Sequence, residues 1–93
     1  MRRSQDLIYQ LLTHVEENTN GPVEVPRLRG YTTKQVHNHV RLCIEAGYIE
    51  ADKPGFFQDE RVEGGGLWYY QAIHRLTWHG HDVLDEMRRN NGH

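Results

Sequence analysis

Between Thr32 and Gly47 the sequence writes out one complete helix, with a start, an apolar face and a stop. Thr32 followed by Gln35 matches a capping box, in which each side chain satisfies a backbone N–H that the first turn leaves free. Behind it Val36, Val40, Cys43, Ile44 and Gly47 recur at i, i+4, i+7, i+8 and i+11, the spacing of a single helical face. Gly47 suits the position after the last turn, where a left-handed backbone costs glycine nothing. A helix is therefore expected over 33–46. Any fold must cover its apolar stripe and leave Lys34, Gln35, His37, Asn38, Arg41 and Glu45 on the other side.

Two further helices follow from the same rule. Leu7, Ile8, Leu11, Leu12 and Val15 share one face of a helix over 4–18, with Ser4 as N-cap and Asn20-Gly21-Pro22 as its stop. Gly80, Val83, Leu84 and Met87 recur at i, i+3, i+4 and i+7 in a helix over 77–89, capped by Thr77. Arg88 and Arg89 suit the negative end of that last helix. Pro22-Val23-Glu24-Val25-Pro26 alternates like a strand, and its prolines confine it to a sheet edge or to extended chain. Tyr48-Ile49-Glu50-Ala51 reads as a strand, and the aromatic stretch 67–76 as a second one pairing back on it. Pro54, Gly55 and the run Gly64-Gly65-Gly66 make 52–66 a long turn, mobile at its glycines.

Length and composition bound the rest. Ninety-three residues fit one domain, 1–93, and a 37% hydrophobic content gives a modest core, so homodimerisation stays open. Eleven Lys and Arg against thirteen Asp and Glu leave a net charge of −2, so the bulk basicity of a nucleic-acid binder is absent. Any DNA contact must come from a local patch. The single Cys43 forms no internal disulfide, and Met1-Arg2-Arg3-Ser4-Gln5 leads into no apolar segment, which points to a cytoplasmic setting. No stretch approaches the ~20 apolar residues of a membrane span, so no membrane partner is expected.

Two segments carry a resemblance. Val36-His37-Asn38-His39-Val40-Arg41-Leu42-Cys43-Ile44-Glu45-Ala46-Gly47-Tyr48-Ile49 resembles the close of a winged-helix recognition helix, and Leu76-Thr77-Trp78-His79-Gly80-His81-Asp82-Val83-Leu84 resembles the step from last wing strand to final helix. More narrowly, Asp6-Leu7-Ile8, Gly30-Tyr31, the glycine-rich wing and Arg75-Leu76-Thr77-Trp78-x-Gly80-His81-Asp82-x-Leu84 are similar to a family of uncharacterised bacterial and prophage proteins. The resemblance implies an α+β winged helix: three helices, a small antiparallel sheet and a long wing. It implies a phage or prophage context and supplies no catalytic residue. One departure stands out: Val25-Pro26-Arg27-Leu28-Arg29-Gly30 leaves at most one turn where a helix-turn-helix has a full supporting helix.

If the helix over 33–46 reads DNA, Arg41 suits guanine, Asn38 and Gln35 suit adenine, His37 lies on the same polar side, and Lys34 suits a phosphate. Arg2, Arg3, Arg27 and Arg29 join Lys34 and Arg41 in the basic part of the chain. Against this, residues 50–66 hold Glu50, Asp52, Asp59, Glu60 and Glu63 with only Lys53 and Arg61, so the wing should repel phosphates. Phe56 and Phe57 beside it are expected to fold back onto the sheet, or else to form a protein-contact patch. Two functions fit these features: a DNA-binding phage or prophage transcription regulator, or a protein-interaction module such as a phage-encoded inhibitor of a host factor.

Other chemistry finds little footing. His37-x-His39 and His79-x-His81-Asp82 have ligand residues, but residues two apart on a helix point to different faces, so neither pair chelates alone. His39 is expected in the core, and neither metal nor cofactor is implied. Cys43 lies on an apolar face with no nucleophile elbow, and Gly64-Gly65-Gly66 precedes a strand where phosphate-cradling glycines open a helix. An enzyme is not expected.

Overall fold

In this computed structural model the residues described are 4–18, 21–58 and 66–90. They form, in order, α1 (Gln5–Glu17), β1 (Val23–Glu24), α2 (Thr33–Glu45), β2 (Ile49–Ala51), β3 (Gly55–Gln58), β4 (Gly66–Tyr69), β5 (Ala72–Leu76) and α3 (Trp78–Asn90). This is an α+β arrangement of three helices with small antiparallel sheets. Of the expected mobile tip, Gly64 and Gly65 lie outside the described residues, and Gly66 opens β4 opposite Gln58.

Each helix is bounded by the residues that its sequence supplies for the purpose. The Ser4 hydroxyl accepts the Leu7 N–H at 3.2 Å to open α1, which buries Leu7, Ile8, Leu11, Leu12 and Val15. Both halves of the capping box form at α2: the Thr32 hydroxyl accepts from Gln35 N–H at 3.1 Å and Gln35 Oε1 from Thr32 N–H at 2.8 Å. At its far end Tyr48 N–H donates to Cys43 O and Gly47 N–H to Ile44 O, a Schellman closure made by Gly47 at φ +79°. Thr77 joins two elements at once. Its hydroxyl accepts from Gly80 N–H at 2.9 Å to start α3 and donates to Gly47 O at 2.5 Å.

Strand β5 is central in a three-stranded sheet ordered β1-β5-β2, with Val23 opposite Ile73 and Ile49 opposite Leu76. Strand β1 holds the edge, as its flanking prolines require. The core gathers the α1 face, Val36, Val40 and Cys43 of α2, Ile49, Tyr70, Ile73, Leu76, and Leu84 of α3. Arg88 ties α3 to α1 through Glu16 at 2.7 Å.

Two expectations about the sheet are corrected. The stretch 67–76 is not one strand: it breaks at Tyr70 and Gln71, so that β4 pairs with β3 and β5 with β1 and β2. The cause is Tyr70, whose side chain enters the core and whose N–H leaves the ladder to bond His37. The long turn also contains a strand, because Gly55–Gln58 pairs antiparallel with Gly66–Tyr69 in a separate hairpin.

Candidate nucleic-acid interface

Helix α2 has three faces. Val36, His39, Val40 and Cys43 enter the core, and Lys34, Asn38, Arg41 and Glu45 follow one another at i, i+4, i+7 and i+11 along the solvent side. The third face, between them, is where the hairpin packs. There Tyr69 lies over the ring of His37, with centroids 4.3 Å apart.

His37 therefore does not belong with the solvent-facing residues. It is 3% exposed, and its Nδ1 accepts the backbone N–H of Tyr70 at 3.1 Å. Its placement among the DNA contacts is corrected: helical position leaves it at the edge of the polar face, and the hairpin covers that edge. Accepting at Nδ1 makes Nε2 the protonated nitrogen of the neutral ring, and burial lowers its pKa below the ordinary 6.5. Gln35 remains exposed, with its carbonyl oxygen engaged at the helix cap.

His39 is 2% exposed, in the core as expected. Its Nε2 accepts Ser4 N–H at 2.8 Å, which joins the start of α1 to α2, and its Nδ1 meets Gln35 O of its own helix at 2.8 Å, which fixes the ring. The second long-range bond on this side comes from Tyr31, whose hydroxyl donates to Asp6 at 2.7 Å. It pins the segment before α2 to the start of α1, where a helix-turn-helix would have a bracing helix.

Of the cations, Arg41 carries an exposed pairing with Glu45 at 3.1 Å, an i,i+4 contact worth only about 0.3–0.5 kcal/mol and readily exchanged for another anion. Lys34 is half-buried and Asn38 likewise, while Arg27 and Arg29 are exposed on the turn that leads into α2. Arg2 and Arg3 lie outside the described residues. Arg27 shares a cavity of about 350 Å³ with Leu28, Tyr31, Thr33, His37 and Tyr69, so the turn, the first turn of α2 and the hairpin meet at one place.

Two acidic residues ahead of the hairpin have partners on β5. Arg75 grips Glu50 through two bonds of 2.9 and 3.0 Å and holds its carboxyl below the usual range, and His74 meets Asp52 at 2.6 Å. Asp59, Glu60, Arg61 and Glu63 lie outside the described residues. Phe56 does not fold back onto the sheet: it is 56% exposed and meets Trp68 edge-on across the strand pair, centroids 5.2 Å apart. Cross-strand aromatic pairs of this kind add to the stability of a hairpin. Trp78, at the start of α3, is 87% exposed.

Among the described residues no group of three or more His, Cys, Asp or Glu could hold a metal ion, and no helix is long and apolar enough to cross a membrane. Cys43 is fully buried, and burial pushes its thiol up to about 12.

The sequence patterns of Lys34, Asn38 and Arg41 foretell their shared stripe. The roles of Tyr31 and Tyr70 had no such signal, since each depends on a partner at least 25 residues away.

Comparison with known proteins gives two matches. Residues 2–92 match the family described as a hypothetical protein, DUF2513. A protein of Haemophilus influenzae described as an uncharacterized protein is 30% identical over 93 residues, covering 97% of this chain and 70% of the relative. No solved structure matches the chain.

Proposed function

The chain belongs to the DUF2513 family, and we propose that this protein is a small winged-helix DNA-binding regulator of phage or prophage type that lays α2 in a major groove. The observation that carries the reading is the stripe of Lys34, Asn38 and Arg41. It runs along the side of α2 away from the core, with Arg41 exposed and Lys34 and Asn38 half-buried, and its residue types suit a phosphate, an adenine and a guanine respectively. The core fixes the opposite face, so the stripe is rigidly presented. Arg27 and Arg29 stand on the turn just ahead of it, placed to grip the backbone beside the groove. The hairpin of β3 and β4 takes the place of the wing, and the Arg75 partner of Glu50 offsets part of the repulsion that its composition implies.

The test is equilibrium binding of duplex DNA over a range of salt. Lys34→Ala should weaken all sequences alike and lower the salt slope by about one unit, whereas Asn38→Ala should cost about 1–3 kcal/mol of preference for the best site. Identical behaviour of the two variants would mean that α2 attracts DNA without reading it.

A second reading has one observation in its favour. Phe56, Trp68 and Trp78 are exposed large apolar side chains, which suits a protein-interaction module such as an inhibitor of a host factor. On that reading, replacing Phe56 and Trp68 abolishes partner binding and replacing Lys34 and Asn38 does not.

A further inference from the structure

The hairpin of β3 and β4 is a sheet of its own, and no described residue of either strand belongs to the core that the helices and β5 enclose. Two legs join it to the body. One leaves β2 through Asp52, whose N–H donates to Ala72 O at 3.1 Å and whose carboxylate meets His74 at 2.6 Å. The other is Tyr69 and Tyr70, which close on His37: the Tyr69 ring lies 4.3 Å from the imidazole, and Tyr70 N–H donates to Nδ1 at 3.1 Å.

The two legs answer a proton differently. A protonated imidazole has two N–H groups and no acceptor, so charging His37 sets a donor against Tyr70 N–H and ends that bond. Nothing described around the ring favours the charge. Arg27 and Tyr31 stand on the turn beside it, Lys34 and Arg41 about one turn before and after it on α2, and Tyr69 and Tyr70 on the hairpin side. Glu45, two turns on, is already paired with Arg41, and no carboxylate among the described residues lines the cavity at His37. The imidazole is 3% exposed, so water reaches a charged His37 only if the hairpin lifts, and its pKa lies below 6.5 accordingly. At the other leg a protonated His74 faces the Asp52 carboxylate, so acid does not loosen it.

We propose that His37 is a proton-operated latch: once its imidazole is charged, the hairpin swings off α2 about the Asp52 leg, while the three helices and the sheet of β1, β5 and β2 stay folded. The Tyr70 ring is held in the core, so the pivot on this side lies at the peptide between Tyr69 and Tyr70. Phe56 and Trp68 travel with the hairpin, which makes the position of the wing beside α2 depend on pH. The latch holds whether or not α2 reads DNA.

The test is NMR of the isotope-labelled protein from about pH 8 to about pH 5. Contacts between the Tyr69 and His37 rings should fade, and the Tyr70 amide should lose its exchange protection, at the pH where the His37 ring titrates. The released fraction should rise by up to about tenfold for each pH unit below 6.5, until His37 is charged in the closed form as well. Amides of Leu11, Ile73 and Leu84 should keep their native shifts throughout. In His37→Asn, whose side-chain oxygen accepts in place of Nδ1 and takes up no proton, the hairpin should show no step with pH. In His74→Gln the step should stay where wild type has it. Ring contacts that persist beside a charged His37 overturn the proposal, as does loss of the core amides together with those of the hairpin. A step at the wild-type pH in His37→Asn, or its disappearance in His74→Gln, overturns it in favour of another titrating group.

Discussion

His37 on α2 accepts the backbone N–H of Tyr70 at 3.1 Å, across 33 residues of sequence, and that bond sets where the hairpin lies against the helix. It holds the break between β4 and β5 in place, and it needs Nδ1 unprotonated. Burial lowers the His37 pKa below 6.5, so between that lowered value and 6.5 the unfolded chain takes up a proton that the folded chain refuses. The stability from this site is fully present above 6.5 and is lost as pH falls through the lowered value. Denaturation across that range should show wild type weakening with acid. His37→Phe should lose about 1–3 kcal/mol at neutral pH, because Tyr70 N–H is then unsatisfied, and should show a shallower acid dependence. Equal slopes for the two would contradict the role given to this bond.

Gly80 lies against the backbone of Tyr48, so close that a side-chain carbon at position 80 would overlap the Tyr48 carbonyl oxygen. That oxygen also accepts Thr77 N–H at 2.9 Å, so it has little freedom to retreat. Gly80→Ala should therefore cost about 1–3 kcal/mol despite the better helix propensity of alanine. Chemical denaturation checks this, and a variant as stable as wild type would show that α3 can shift away from Tyr48 without loss.

The helices were legible because each carries its own start signal and a one-sided apolar period, readable within a single turn or two. Thr32 with Gln35, and Gly47 beyond them, needed no knowledge of the rest of the chain. The hairpin was not legible in the same way. Gly55 opens β3 in a segment whose Pro54 and Gly55 argue for a turn, and Tyr70 leaves its strand only because His37 is waiting for it. His37 itself sits next to Val36 at the border of the apolar face, and its burial depends on a strand that arrives from residues 66–69. The polar side of α2 was legible from spacing except at His37, which spacing places there and the hairpin buries; the cavity ahead of it was not, since the turn at Val25–Tyr31 forms its wall.

Thr32→Ala removes one half of the capping box and should destabilise the protein by about 1 kcal/mol. Because the free N–H of Gln35 would then be at the end of the proposed reading helix, hydrogen exchange should quicken first in the opening turn of α2. Uniform quickening across the molecule would mean that α2 does not fray independently.

The Cys43 thiol, fully buried and pushed up to about 12, should be inert toward thiol reagents in the native protein. Labelling should proceed only at the rate of unfolding and become complete in denaturant. Rapid modification of the folded protein would show that the contact between α1 and α2 opens far more readily than its packing implies.

Selection from a random duplex library by wild-type protein decides whether α2 reads DNA sequence. Successive rounds should enrich one short motif, and the enriched duplex should outcompete its scrambled form at fixed salt. A library that stays random after selection, with equal binding to both duplexes, would contradict it.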